Sequence, residues 1–307
     1  MKNEVGLKHI ALELEISVVA VSRALKDCGD ISDNTKRKVR QKAIELGYVP
    51  RPLKKSDHKT IAILVDSLGS PFFGMIAEKM IEELKQYNCI TTFIPTAQNY
   101  ACKDNVKEAL ELSVDGIISF LVPHQDAYEM VLLHRIPFLL FGRYVEDPRM
   151  NIVYMDDYQG GQLAASYLLG KGANKLCYIG VDNIECSLRR QKGFVEEGQK
   201  NNVNNICIIQ SDEINNVEKL IDGGYKWFFC FDDELARHLL SLQKDKNIYV
   251  IGYNGSSRFS SRYESFTSIY ANYDLMIKDT INILMDKIIN NNEGDPIIIK
   301  HITQLCE

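Results

Sequence analysis

Two runs near the start of the chain, Leu7-Lys8-His9-Ile10-Ala11 and Ile16-Ser17-Val18-Val19-Ala20-Val21-Ser22-Arg23-Ala24-Leu25, decide how the sequence is read. In the first, Leu7, Ile10, Ala11 and Leu14 follow the i, i+3, i+4, i+7 spacing of a short helix with one buried face. After a turn at Glu15-Ile16, Ser17 stands as N-cap to a second helix whose inward stripe is Val21, Ala24 and Leu25. Two short helices joined by a tight turn make a helix-turn-helix. A third helix is expected from Ser32 as N-cap to Leu46, with Val39, Ala43 and Leu46 inward and Gly47 as its stop.

The outward face of the second helix carries Val18, Val19, Ser22, Arg23 and Lys26. Exposed valines beside an arginine suit a major groove, where arginine bonds guanine O6 and N7 and valine meets a thymine methyl. The Ser17 and Ser22 hydroxyls and the Lys26 ammonium suit phosphate oxygens, which fix position without reading sequence. The alternative is that Val18 and Val19 pack against another part of the protein. Lys36, Arg37, Lys38, Arg40 and Lys42 crowd the third helix; such a run reads as a solvated face that also attracts phosphate.

Charge is divided unevenly along the chain. Residues 1–60 carry 13 Lys and Arg against 8 Asp and Glu, leaving 23 against 33 for the rest of the 307 residues. A basic head on an acidic body fits a nucleic-acid-binding domain joined to a different module. The composition, 45% hydrophobic and 25% charged, excludes intrinsic disorder, collagen and a small disulfide scaffold. Eight cysteines lie scattered without a C-x-x-C pair, so neither a zinc cluster nor a redox dithiol is suggested, and they read as core residues in a reducing cytosol. No stretch approaches the about 18 apolar residues needed to span a bilayer. The expectation is a soluble cytoplasmic protein without cofactor, metal or membrane partner.

The head resembles that of the lac repressor/galactose repressor family. The residues that carry the resemblance are the two runs above, then Ile31-Ser32, Thr35 and Leu46-Gly47-Tyr48-Val49-Pro50. It implies that Val18, Val19 and Arg23 read bases and that Ser17, Ser22, Ser32 and Thr35 face the DNA backbone. The chain departs from the family at His9, Glu15, Ala20 and Lys26, where Asp, Gly, Thr and Asn are usual; a changed operator preference with a larger electrostatic share is expected. A linker follows at 51–59. The family's Asn-x-x-Ala-Arg-x-Leu hinge helix, whose leucine wedges into the minor groove, is missing here. Leu53 between Pro52 and Lys54 is a candidate substitute wedge, with an extended linker as the preferred reading.

From residue 60 onward short β-branched runs alternate with helical patterns. Strands are expected at Ile61–Asp66, Thr91–Ile94, Gly116–Phe120 and Phe138–Phe141, with helices near 71–87, 104–112 and 125–134. The cycle repeats with strands at Leu176–Ile179, Ile206–Ile209, Trp227–Phe231 and Ile248–Ile251 and helices near 158–170, 187–200, 215–221 and 233–242. A long helix near 272–290 and a strand at Ile297–Ile299 close the chain. Repeated βα units give doubly wound parallel sheets, so the fold class is α/β: an all-α head, 1–50, and a two-lobed body, 60–307. The lobes are expected at about 60–157 with 272–290, and about 158–271 with 296–307. A cleft at the strands' carboxyl ends is the default ligand site.

The body carries no P-loop, no G-x-G-x-x-G after the first strand, no G-x-S-x-G elbow and no H-E-x-x-H, so an enzyme is not expected. Asp156-Asp157 and Asp232-Asp233 have no histidine near them in sequence and read as carboxylates that cap helices or bond a polar ligand.

This stretch resembles the effector domain of the same family, itself similar to periplasmic sugar-binding proteins. Ser70-Pro71-Phe72-Phe73 stands for N-P-F-F, Gly142-Arg143 for D-R, Arg190-x-x-Gly193-Phe194 for R-x-x-G-[FWY], Asp232-Asp233-x-x-Ala236 for N-D-x-x-A and Gly252-Tyr253-Asn254 for G-[FY]-D. The resemblance implies that Phe72, Phe73, Arg143, Asp156, Arg190, Asp232 and Asn254 meet an effector. Arg190 offers a fork of donors, Asp232 accepts, Asn254 does both, and a Phe ring is a platform for a sugar face or a flat base. Each has a plainer alternative: Phe73 in the core, Arg190 paired with a carboxylate across the lobes. Gly142 lacks the usual carboxylate, so a ligand other than a common hexose is expected.

The reading is therefore a ligand-responsive, dimeric DNA-binding regulator, most often a repressor in this family, with a near-palindromic operator and a small polar effector. The second reading is a small-molecule binding module whose head has lost sequence-specific recognition.

Overall fold

The computed structural model describes residues 5–48, 58–67, 69–96, 98–242, 247–256, 266–292 and 294–306. The linker and Leu53 lie outside the described residues. Three helices open the chain: α1 (Leu7–Glu13), α2 (Val18–Leu25) and α3 (Asp33–Glu45). The N-caps of α2 and α3 are those read from sequence. Ser17 Oγ accepts from Ala20 N–H at 3.0 Å and Ser32 Oγ from Thr35 N–H at 3.3 Å. Gly47, at φ +70°, turns the chain in the left-handed conformation that glycine adopts without a steric penalty. Ile10, Ala11, Val21, Ala24, Leu25, Val39 and Ala43 form the head's core, joined by Leu133 of a body helix.

The body follows as β1 (Lys59–Val65), α4 (Pro71–Lys85), β2 (Cys89–Pro95), α5 (Lys103–Glu111), β3 (Gly116–Ser119), α6 (Gln125–His134), β4 (Phe138–Phe141) and β5 (Asn151–Met155). Next come α7 (Asp157–Gly170), β6 (Leu176–Gly180), α8 (Glu185–Lys200), β7 (Ile206–Gln210), a 3-10 turn, α9 (Val217–Asp222), β8 (Trp227–Cys230), α10 (Asp233–Leu242) and β9 (Tyr249–Tyr253). The chain ends with β10 (Ser268–Ala271), α11 (Tyr273–Ile289), β11 (Ile298–His301) and β12 (Thr303–Cys306).

Two six-stranded sheets result, ordered β11-β5-β4-β3-β1-β2 and β12-β10-β9-β8-β6-β7. Strands such as β1, where Ile61, Ala62, Ile63 and Leu64 are fully buried, are apolar on both faces because helices cover both sides of a parallel sheet. β12 runs antiparallel to β10, with Ser268 opposite Cys306. Residues 296–307, expected to serve one lobe, supply a strand to each sheet: β11 pairs with β5 and β12 with β10.

By contact density the chain divides into two units. One comprises Met1–Ser67, Leu84–Leu140 and Asn282–Asp295; the other comprises Leu68–Glu83, Phe141–Ile281 and Pro296–Glu307. All eight cysteines are free thiols, five of them buried. Among the described residues no helix is long and apolar enough to cross a membrane.

Candidate nucleic-acid interface and effector residues

On α2, Val21, Ala24 and Leu25 turn inward, which forces Val18, Val19, Ser22 and Arg23 to the opposite side. Val19 is 66% exposed and Val18 39%, so the alternative that both pack inside the protein does not hold. Ser17, Arg23, Lys26 and Ser32 are also exposed, and Ser22 and Thr35 half-exposed. Arg23 Nε donates to Asp30 Oδ2 at 2.8 Å, which raises its pKa and holds the guanidinium within the head until another acceptor is offered. Thr35 Oγ1 lies 2.8 Å from Ser32 Oγ, which already caps α3.

The basic crowd on α3 departs from the expected solvated face. Lys36 and Arg40 are buried, at 7% and 3% exposure, because Asp27 draws them inward: Arg40 Nη2 donates to Asp27 Oδ1 at 2.7 Å and Lys36 Nζ lies 3.3 Å from the same oxygen. A buried cation is tolerated only with such a partner. Arg37 and Lys38 remain exposed, and the phosphate attraction assigned to the whole helix narrows to them and the half-exposed Lys42.

The expected effector residues follow carboxyl ends of strands: Arg143 after β4, Asp156 after β5, Asp232 after β8 and Asn254 after β9, while Phe72 and Phe73 open α4 and Arg190 lies in α8. Rings of Phe72 and Phe73 are 5.5 Å apart, and Phe72 meets Tyr273 edge-on at 5.1 Å. Asp156 caps α7 through Gln159 N–H at 3.1 Å and accepts from Lys300 Nζ at 2.8 Å. Asp232 accepts from Leu235 N–H at 2.8 Å; burial pushes its carboxyl up against that bond. Asn254 sits at φ +100°, half-buried, with its backbone N–H on the Ile269 carbonyl at 2.7 Å.

Arg190 differs from the fork expected to face the cleft. It is 4% exposed, with Nε on Asp157 Oδ1 at 2.7 Å and Nη1 on the Phe231 carbonyl at 2.6 Å. Its guanidinium lies 3.5 Å from the Tyr253 ring centroid. Burial works against the charge, and the Asp157 carboxylate more than offsets it, holding the guanidinium above its ordinary value. Arg190 thus ties α8 to the starts of α7 and α10 from inside.

Sequence reasoning missed Asp157 as the Arg190 partner, and the readable signal was glycine. Helix-interior glycines cost about 1 kcal/mol each against alanine, and Gly161 and Gly193 sit on facing helices. A Cβ on Gly161 would stand 2.0 Å from the Arg190 carbonyl oxygen, and one on Gly193 2.0 Å from that of Tyr158. Also missed was a polar aromatic group: Tyr144 and Tyr154 rings are 4.8 Å apart, Arg189 lies 4.4 Å over Tyr144, and Arg189 pairs with Glu185. Its members come from three separate segments, so no local pattern announces it.

Asp233 contrasts with its neighbour. Its carboxylate accepts from Ser256 N–H, Ser256 Oγ and Ser268 Oγ at 2.6 to 2.7 Å, so it holds β10 and the turn after β9. The doubled carboxylates at 156–157 and 232–233 therefore each pair a helix cap with a buried structural acid. Among the described residues no group of three or more His, Cys, Asp or Glu side chains could hold a metal ion.

A helix-turn-helix head with an exposed polar and valine face, on an α/β body of two sheets with polar residues at strand carboxyl ends, defines the class: a nucleic-acid-binding head joined to a periplasmic-binding-protein-like body. The chain belongs to the family described as periplasmic binding proteins and sugar binding domain of the LacI family, which matches residues 58–221. It is 26% identical over 314 residues to the sucrose operon repressor of Lactococcus lactis subsp. lactis, covering 97% of this chain and 96% of the relative. In fold it is similar to the transcriptional regulator CelR in complex with cellobiose, with a TM-score of 0.69 at 19% identity over 99% of both chains. It is likewise similar to the lac repressor dimer bound to operator and an anti-inducer, with a TM-score of 0.67, 18% identity and coverage of 99% and 98%.

Proposed function

We propose that this chain is a ligand-responsive transcriptional repressor of the cytoplasm that binds a near-palindromic operator as a homodimer. The observation that carries the reading is the outward face of α2, where Val18, Val19 and Arg23 stand exposed on a helix whose other side is sealed into the head's core. In this reading Arg23 exchanges Asp30 for guanine and the valines meet thymine methyls. Ser17, Ser22, Lys26, Ser32 and Thr35 approach phosphates, and Leu53 of the linker is the candidate wedge for the minor groove. Two-fold pairing sets two reading helices about one duplex turn apart.

The effector in this reading is a sugar or related small polar compound held at the strand carboxyl ends by Phe72, Phe73, Arg143, Asp156, Asp232 and Asn254. Arg190 acts behind them, fixing the elements that carry Asp232. The sucrose operon repressor and the cellobiose complex among the similar proteins support a sugar. Ligand binding favours one arrangement of the body and so shifts the population of operator-competent dimers.

Selection of bound duplexes from a random pool, repeated with a panel of sugars and nucleobases, tests both halves. An enriched palindrome whose recovery changes with one compound is the expected result. Equal recovery of all sequences would overturn the repressor reading.

A further inference from the structure

The head does not rest on its own core alone. Asp27, at the turn after α2, is met by three cations: Arg40 Nη2 at 2.7 Å and Lys36 Nζ at 3.3 Å from α3, and Lys103 Nζ at 2.6 Å from the first turn of α5 in the body. All three ammonium or guanidinium nitrogens converge on the same oxygen, Oδ1. The side chains of Asp27 and Lys103 are only 21% and 18% exposed, so this ion group is far less open to water than the usual surface pair.

Two further contacts lie beside it. Leu133 of α6, 1% exposed, is a member of the head's apolar cluster together with Val39 and Ala43 of α3. The guanidinium of Arg135, the residue that follows α6, lies against Gly47 just beyond α3: a Cβ there would stand 2.6 Å from one of its nitrogens. Charge, apolar packing and close approach therefore coincide on one face of the head. That face is opposite in role to α2, whose Val18 and Val19 stay exposed.

We propose that the head is docked directly on the body through α3, α5 and α6, with the Asp27–Lys103 pair as its polar key and Leu133 as its apolar one. The docking fixes the direction in which α2 is presented. Displacement of α5 or α6 then moves the reading helix as a lever. The docking stands whether or not the head reads sequence; its effect on operator affinity rests on the repressor reading above.

Hydrogen exchange on the full-length protein tests it, with Lys103→Glu as the disrupting variant, Lys103→Arg as the conservative one, and Lys107→Glu as a control on an exposed lysine of the same helix. Docking predicts that Lys103→Glu speeds exchange in the last two turns of α3 and in α6 by about fivefold or more. Lys103→Arg and Lys107→Glu leave both segments as in the wild type. A carbodiimide treatment, which joins a carboxylate to an ammonium in contact, is expected to link Asp27 to Lys103 in a peptide absent from Lys103→Arg.

Exchange in Lys103→Glu equal to that in Lys107→Glu, or absence of the linked peptide, would overturn the docking. Binding of each variant to a selected and a scrambled duplex separates the two readings. If the wild type prefers neither duplex, the repressor reading fails while exchange still judges the docking. If the wild type discriminates and Lys103→Glu weakens selected binding more than Lys107→Glu does, the lever is supported. Equal weakening by both would overturn it.

Discussion

Glu15 occupies the turn between α1 and α2 at φ +52°, where a side chain meets its own backbone and a glycine would not. The left-handed conformation costs an L-residue about 1–2 kcal/mol, partly returned by the greater freedom glycine has in the unfolded chain. Glu15→Gly is therefore expected to stabilise the head by about 1 kcal/mol, read as slower exchange of the Ile10 and Val21 amides with no change in their chemical-shift pattern. Arg23, the proposed base-reading residue, presents the reverse case. Its pair with Asp30 is half exposed on both sides and holds little stability. Arg23→Ala should leave thermal unfolding unmoved and weaken binding to a selected duplex about ten- to a hundredfold, the range of a lost bidentate base contact. Unchanged discrimination between selected and scrambled duplexes would remove Arg23 from the reading set.

At the scale of elements, α7 and α8 meet through glycine, and their closeness is what lets Asp157 reach Arg190. Gly161→Ala pushes a methyl group onto the Arg190 carbonyl, which cannot rotate away. The helices must part, and a loss of about 3 kcal/mol is expected in denaturant unfolding, at the upper end of overpacking costs. A loss under about 1 kcal/mol would mean that the helices slide apart freely. The elements also show what a sequence can announce. The head's three helices were readable because each has a clean apolar stripe and the second and third have serine caps. The strand Asn151–Met155 was not, because β5 follows β4 with no helix between them and so breaks the βα alternation. Thr303–Cys306 was missed for a related reason: an antiparallel edge strand of Thr, Gln, Leu and Cys has little of the apolar run that marks buried parallel strands. For Arg143, Asp156, Asp232 and Asn254 the place after strand ends was legible, but the burial of Arg190 depends on an approach of two helices that no single segment encodes.

Across the whole molecule the same limit explains Lys36 and Arg40. Their partner Asp27 lies in a turn, and part of what buries that turn comes from α5, 76 positions away. Burial pushes the Asp27 carboxyl up, but the bonds and charges of Lys103, Lys36 and Arg40 outweigh it and leave the group below its ordinary value of 3.8. A carboxyl lowered on folding stabilises the folded state above its unfolded pKa, and the contribution is lost as pH falls through the folded value. Acid titration should therefore loosen α3 below about pH 4. Asp27→Asn is expected to show that looser state already at neutral pH, with a flatter acid dependence; α3 exchange in the wild type that does not respond to acid would contradict the pairing.

The segment from β11 to β12 serves both sheets at once. β11 closes the edge of one sheet and β12 the edge of the other, with Ile302 between them. Both sheets therefore draw an edge strand from the same short segment, and neither is complete without it.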